Sequence, residues 1–272
     1  MEARGRQRGV ALVTALLLVA IAVVAATAMG ARLQVDLRRT ANVTAFEQAR
    51  IHAASAEAFA LDLLANLRRH QLESGEAAWD GCASPRLAFP LAEATVTIAA
   101  EDLHCRFNLN ELAAAEAEAV RTAFIRLLEE VNRDLHRERV DPDLVARAVT
   151  EWLSPEDDDP YYQRREPPYR SANQPMLTAD ELILVRGMTD GAMDALRPYV
   201  TALPDRGLAL NREAAPEPVR RALAGLEREE SQAPRYLRVA ITVTVDGREA
   251  HSCSVMDAEA RRVIYRERAR CD

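Results

Sequence analysis

Residues 10–29, VALVTALLLVAIAVVAATAM, carry no charge. As a helix rising about 1.5 Å per residue they reach roughly 30 Å, the thickness of a bilayer hydrocarbon core. A short basic leader precedes them, MEARGRQRG, with Arg4, Arg6 and Arg8 against the single acid Glu2. Basic charge on that flank places the N-terminus in the cytoplasm and the body across the membrane, and Arg32, Arg38 and Arg39 beyond the run oppose this only in part. Past the run, residues 31–74 contain neither glycine nor proline, while Phe46, Ala49, Ala53, Ala56, Ala60, Leu63 and Leu67 recur at steps of three and four. That spacing predicts one continuous helix, half in lipid and half amphipathic. A stripe this rich in alanine suits a covering domain better than a coiled-coil seam, which would use more Leu and Ile.

The rest of the chain has the composition of a folded body. Its 272 residues are 49% hydrophobic and 28% charged, enough for one or two modest cores. The formal charge of −7 grows more negative once the basic leader is set aside, which argues against nucleic acid or anionic lipid as a partner. The four cysteines fall as two sequence-local pairs, Cys82 with Cys105 and Cys253 with Cys271. In an oxidising compartment such pairs suit disulfides, but four cysteines allow three connectivities and spacing does not choose among them.

Periodicity changes several times along the body. Residues 94–100 (ATVTIAA) and 103–109 (LHCRFNL) alternate like a two-strand hairpin turning at Glu101-Asp102. A helical pattern follows from Glu111 to about Leu135. A second helix is expected from Pro142 to Trp152, with Asp141 as its N-cap. After an irregular acidic and proline-rich stretch come short helices at 178–185 and 190–196, a strand at 199–203, and a short helix at 216–226 leading out of the helical region. Strands at 236–245, 251–256 and 261–266 close the chain, the first hairpin turning at Asp246-Gly247. Helices set between early and late strands make an α+β fold.

Enzyme signatures are missing. The five histidines, at 52, 70, 104, 136 and 251, show no HExxH or other metal spacing, and no GxSxG, P-loop or GxGxxG occurs. No catalytic residue is nominated. ELILVRGMTDGAMDALRPYV also resembles a helix-hairpin-helix unit, but Gly187-Met188-Thr189 lacks the second glycine that brings backbone amides to phosphates. Protein contact or packing is the expected use of these helices.

Several segments converge on one family. The leader and span RGVALVTALLLVAI, FNLNEL at 107–112, PPYRSANQP at 167–175, ELILVRGMT at 181–189 and PYVTALP at 198–204 resemble, in order, the general secretion pathway protein K family, the large minor pseudopilins of type II secretion systems. A glycine directly before the apolar run resembles a prepilin leader. The resemblance implies cleavage between Gly9 and Val10 by prepilin peptidase, a methylated new N-terminus, and a single-pass inner-membrane protein with a periplasmic body. It further implies a pilin-like fold: leader 1–9, membrane-spanning part of the helix 10–30, its periplasmic half and first strands 31–110, an inserted helical domain 111–205, and a C-terminal sheet 206–272. The implied partners are other minor pseudopilins in a tip complex, the major pseudopilin, the peptidase and the inner-membrane assembly platform.

The resemblance singles out one residue in the span and one loop. Counting from Val10, the fifth residue is Thr14, where most pilins carry a glutamate that pairs with a neighbouring subunit's N-terminal amine. A neutral residue there suits a subunit that enters first, since an unpaired carboxylate in the membrane costs about 2.5–3.5 kcal/mol on insertion scales. The wide helical head, hard to stack on both sides, suits the same tip position. Calcium is implied near Glu156, Asp157, Asp158 and Asp159, with Glu166, Asp180 and Glu181 as further candidate ligands, because clustered carboxylates suit an ion taking six to eight oxygens. The stretch from Trp152 to Tyr161 is shorter than the family's usual acidic loop, with Ser154 and Glu156 where aspartates are common.

Overall fold

In the computed structural model, which describes residues 3–91, 94–113, 117–155 and 160–271, helix α1 runs unbroken over Ala3–Ser74. Its 72 residues make a rod of about 110 Å. It stops at Gly75, whose φ of +74° is open to glycine and whose N–H donates to the Gln71 carbonyl at 2.9 Å. Every described side chain from Leu12 to Thr44 is exposed, and Ala45 is the first to be buried.

The elements that follow are β1 (Leu87–Leu91), β2 (Ala94–Asp102), β3 (Phe107–Asn108), α2 (Ala117–Asp134), α3 (Pro142–Leu153) and α4 (Pro160–Gln163). Then come α5 (Asp190–Leu196), β4 (Val200–Thr201), α6 (Glu217–Ala222), β5 (Tyr236–Val245), β6 (Arg248–Asp257) and β7 (Arg262–Glu267). The main sheet is antiparallel in the order β1-β2-β5-β6-β7. Asp246 and Gly247 both have positive φ, the requirement of a two-residue I′ turn between β5 and β6.

Strand alternation turns Val96, Ile98, Val239, Ile241 and Val243 toward one face, and α1 lies across it with Ala45, Ala49, Ala53, Ala56, Ala60 and Leu64 buried. Small side chains let the helix axis approach the sheet closely. The expected stripe needs adjusting at its edges: Phe46 is 49% exposed, and Leu64 rather than Leu63 is buried.

A second core belongs to the helical insert, where Phe124, Leu127, Leu128, Val145, Val149, Tyr162 and Leu196 are sealed from solvent. Helix α3 begins as expected, with Asp141 accepting from the N–H groups of Asp143 and Leu144 at 3.1 Å. Ala215, Val219, Ala222 and Leu223 pack into the same core, so the packed unit is wider than 111–205.

The expected hairpin at Glu101-Asp102 does not form. Strand β2 runs straight through those residues and hairpins with β1 instead. Asp102 caps a 3-10 turn at Leu103–Cys105, and Phe107–Asn108 then pair in parallel with Val200–Thr201 in a separate small sheet. Alternation suggested a strand, but Phe107 and Leu109 face the insert core.

Candidate assembly site

Helix α1 offers two surfaces of opposite character. From Leu12 to Met29 it presents an uncovered apolar cylinder with Leu16, Leu17, Val19 and Val24 each more than half exposed. The helix is long and apolar enough to cross a membrane, with a mean hydropathy of 2.7 in its most apolar window. Thr14 stands on this exposed half, and Gly9 and Val10 fall in the helix where the backbone alone is described. Thr27 and Thr40 donate their hydroxyls at 2.9 Å to carbonyls of their own helix, the arrangement that lets a hydroxyl sit in apolar surroundings.

On the body side a polar pin interrupts the alanine rail. Glu57, 4% exposed, accepts from Arg266 Nε at 2.6 Å and from Ser254 Oγ at 2.5 Å, tying α1 to β7 and β6. Burial pushes its carboxyl up, but the hydrogen bonds from Arg266 and Ser254 and the Arg266 charge outweigh that and hold it below the ordinary value. A lone carboxylate on a rail of alanines was the sequence signal for this contact.

Residues 107–112, FNLNEL, clamp the two ends of the insert together. Asn108 Oδ1 accepts from Leu203 N at 2.9 Å, and its Nδ2 donates to Asp205 O at 3.0 Å. Asn110 accepts from Met176 N at 2.8 Å and donates to the carbonyls of Met176 and Leu203 at 3.0 and 2.9 Å. Glu111 accepts from Gly207 N at 2.7 Å and pairs with Arg228 at 3.3 Å. Three polar side chains, each under a tenth exposed, are thus spent on backbone groups that lack ladder partners.

Next to this clamp, the insert joins the sheet through buried ionisable groups. Glu101 receives Arg106 at 2.6 Å and Arg238 at 2.6 Å, and Arg106 also donates to the Arg197 carbonyl at 3.1 Å. Burial and the neighbouring Arg238 charge lower the Arg106 guanidinium against the pull of Glu101. Asp102 is fully enclosed, and burial raises its carboxyl despite the counteracting influence of His104 and the Asn211 amide. His104 Nδ1 lies 2.8 Å from Ala209 O while Nε2 accepts from the N–H groups of Arg235 and Tyr236 at 3.2 and 3.3 Å, which fixes a tautomer protonated at Nδ1.

Both local cysteine pairs are bonded, Cys82–Cys105 between the loop after α1 and the start of the insert, and Cys253–Cys271 between β6 and the C-terminal tail. Glu156, Asp157, Asp158 and Asp159 lie outside the described residues. Of the further candidates, Glu166 is exposed, Asp180 pairs with Arg197, and Glu181 accepts from Leu177 N at 2.6 Å and Thr178 N at 3.2 Å at the start of a 3-10 helix. Among the described residues no group of three or more His, Cys, Asp or Glu gathers to hold a metal ion. The PPYRSANQP segment serves the insert core: Tyr169 meets Trp152 edge-on and Tyr162 at a tilt, and Asn173 N donates to Trp152 O at 2.9 Å.

The family model for type II secretion system (T2SS), protein K, matches residues 105–205, the insert and its clamp. Type II secretion system protein K of Aeromonas hydrophila is 32% identical over 228 residues, 76% of this chain and 66% of the relative. The Pectobacterium carotovorum subsp. carotovorum protein of the same description is 28% identical over 219 residues, again 76% and 66%. The Pseudomonas aeruginosa one is 30% identical over 236 residues, 78% of this chain and 67% of the relative. The chain therefore spans about two thirds of the length of these relatives. Among solved structures, one chain of the crystal structure of the GspK-GspI-GspJ complex from the enterotoxigenic Escherichia coli type 2 secretion system superposes with a TM-score of 0.69. The match covers 86% of this chain and all of that one at 21% identity, a likeness of fold.

Proposed function

This chain belongs to the type II secretion system protein K family, and we propose that it acts as a minor pseudopilin at the tip of a periplasmic pseudopilus. The observation that carries the reading is the division of α1 into an uncovered apolar half and a half sealed against the sheet. A helix with that division is anchored in the inner membrane once, N-terminus in the cytoplasm, and holds its body in the periplasm. Prepilin peptidase cuts between Gly9 and Val10 and methylates the new N-terminus, freeing the apolar rod to bundle with those of other minor pseudopilins. The resulting complex starts a fibre on the inner-membrane assembly platform, and growth by the major pseudopilin moves folded cargo toward the outer membrane. The role is mechanical, with no catalytic step.

Thr14 supports the first position in such a fibre, because a neutral residue needs no preceding subunit's amine. The bulk of the insert supports it too: a head of this width, tied to one end of the sheet through Glu101, Arg106 and Arg238, is easily accommodated where nothing stacks above.

Calcium belongs to the same reading. The described residues do not by themselves form a site, so the proposal rests on Glu156, Asp157, Asp158 and Asp159, four successive acids whose mutual repulsion a divalent cation relieves. Titration of the purified chain with Ca²⁺ should raise its thermal midpoint and EGTA should reverse the rise. No shift in either direction removes calcium from the scheme.

The reading as a whole is tested at the leader. Mass spectrometry of protein taken from membranes is expected to find N-methyl-Val10 as the first residue, and replacing Gly9 with a larger residue should block processing and secretion together. Secretion that persists with Met1 retained would refute it.

A further inference from the structure

Strand β6 is paired with β5 along all ten of its residues but with β7 only from Cys253 to Asp257. Among the described residues, the edge from Arg248 to Ser252 therefore has no strand beside it. Residues 269–271 do not fill the gap, because the Cys253–Cys271 disulfide draws them to the face of the sheet away from α1, into the cleft beside Arg197 and Ala179. The I′ turn at Asp246-Gly247 closes on Val245 and Arg248 as a hydrogen-bonded pair. Alternation then turns the N–H and C=O groups of Glu249 and His251 outward along the open edge.

Between this edge and α1 lies a groove of about 580 Å³. Its helical wall carries Phe46, 49% exposed, and Ile51, 64% exposed, beside Ala53 and Ala54. The acids in the groove already have partners: Glu47 with Arg50 at 3.0 Å, Glu57 with Arg266, and Glu249 with Arg270 at 3.1 Å. At the two ends of the edge and among the described residues, the Arg248 side chain bonds to the neutral Asn42 alone and Arg268 makes no ion pair. The groove thus combines unpaired strand backbone, apolar surface and spare positive charge, and it opens where the uncovered half of α1 leaves the body.

We propose that this edge receives an extended acidic segment of a partner subunit, added as a strand alongside β6 with apolar side chains set against Phe46 and Ile51. The proposal rests on the assembly reading, since a partner whose rod lies against the free half of α1 carries its own body to this groove. Open edges are normally blunted, and the two arginines select an acidic strand over indiscriminate pairing.

The test uses the full chain in detergent, co-expressed with each of the other minor pseudopilins of its own secretion system. Amide exchange in the segment 248–252 should slow at least tenfold in the complex. His251→Pro removes one outward N–H and is of the kind edges tolerate, so it should cut partner recovery at least tenfold relative to His251→Ala, which loses the side chain alone. Arg268→Glu should weaken recovery several-fold. A complex that forms with unchanged exchange at 248–252 overturns the strand site and leaves the assembly reading standing. Protection that appears in the chain alone assigns the edge to a second copy and overturns the proposed partner. Failure to form any complex defeats both readings.

Discussion

A carboxylate placed on a rail of alanines has to be answered, and Glu57 is answered by Arg266 and Ser254 from two different strands. Its folded pKa lies below the ordinary 4.5. A carboxyl depressed in the folded state stabilises the fold above its unfolded value, and the contribution is lost as pH falls through the folded value. Glu57→Gln should therefore cost about 1–2 kcal/mol at neutral pH, discounted because Arg266 is half-exposed. The difference should shrink in acid, as pH falls through that lowered folded value and the wild-type carboxyl is protonated too. Urea unfolding at neutral and acid pH checks this, and an equal gap at both would contradict it. The Cys253–Cys271 bond makes a second residue-scale prediction: it closes a loop with a sequence separation of 18, and replacing both cysteines by serine should remove about 2–4 kcal/mol. Both partners of Glu57 were invisible in sequence because they lie some two hundred positions away. Its place on the rail, four residues after Ala53, was readable.

Elements were legible where local chemistry decided them and illegible where distant packing did. Helix α3 could be located from Asp141 and Pro142, and the β5–β6 hairpin from Asp246-Gly247, because a cap and a turn are satisfied within a few residues. Residues 101–109 went the other way: their alternation is real, but Glu101 is held by Arg106 and Arg238, and Phe107 is claimed by a core assembled from residues far downstream. No local signal separates such a segment from a hairpin. The rail itself yields a test at this scale. Ala49 is wholly buried between helix and sheet, and Ala49→Leu forces the two apart, costing about 1–3 kcal/mol. Ala58→Leu, on the exposed side of the same helix, should stay within about 0.5 kcal/mol. Thermal melts of the two variants distinguish a packed rail from a loosely tethered one, which would tolerate both alike.

At the scale of the molecule the described residues form two large cores, one between α1 and the sheet and one inside the insert, joined by polar contacts and by a small apolar cluster of Leu103, Leu203 and Tyr236. The FNLNEL clamp within the insert was hidden in the sequence, because it reads as a short polar interruption until Asn110 is seen to bond Met176 and Leu203 together. A protein built this way should unfold in two calorimetric transitions. Asn110→Ala leaves buried backbone groups of Met176 and Leu203 without partners, a loss of roughly 2–3 kcal/mol borne by the insert. It should lower one transition and leave the other in place, and Ala49→Leu should do the reverse. If either variant moves both transitions equally, the Glu101–Arg106–Arg238 joint couples the cores into one unit. The distinction bears on the proposed tip role. A head that yields separately from its shaft transmits force through α1 and the sheet alone, so Asn110→Ala should reduce secretion far less than Ala49→Leu at matched loss of stability.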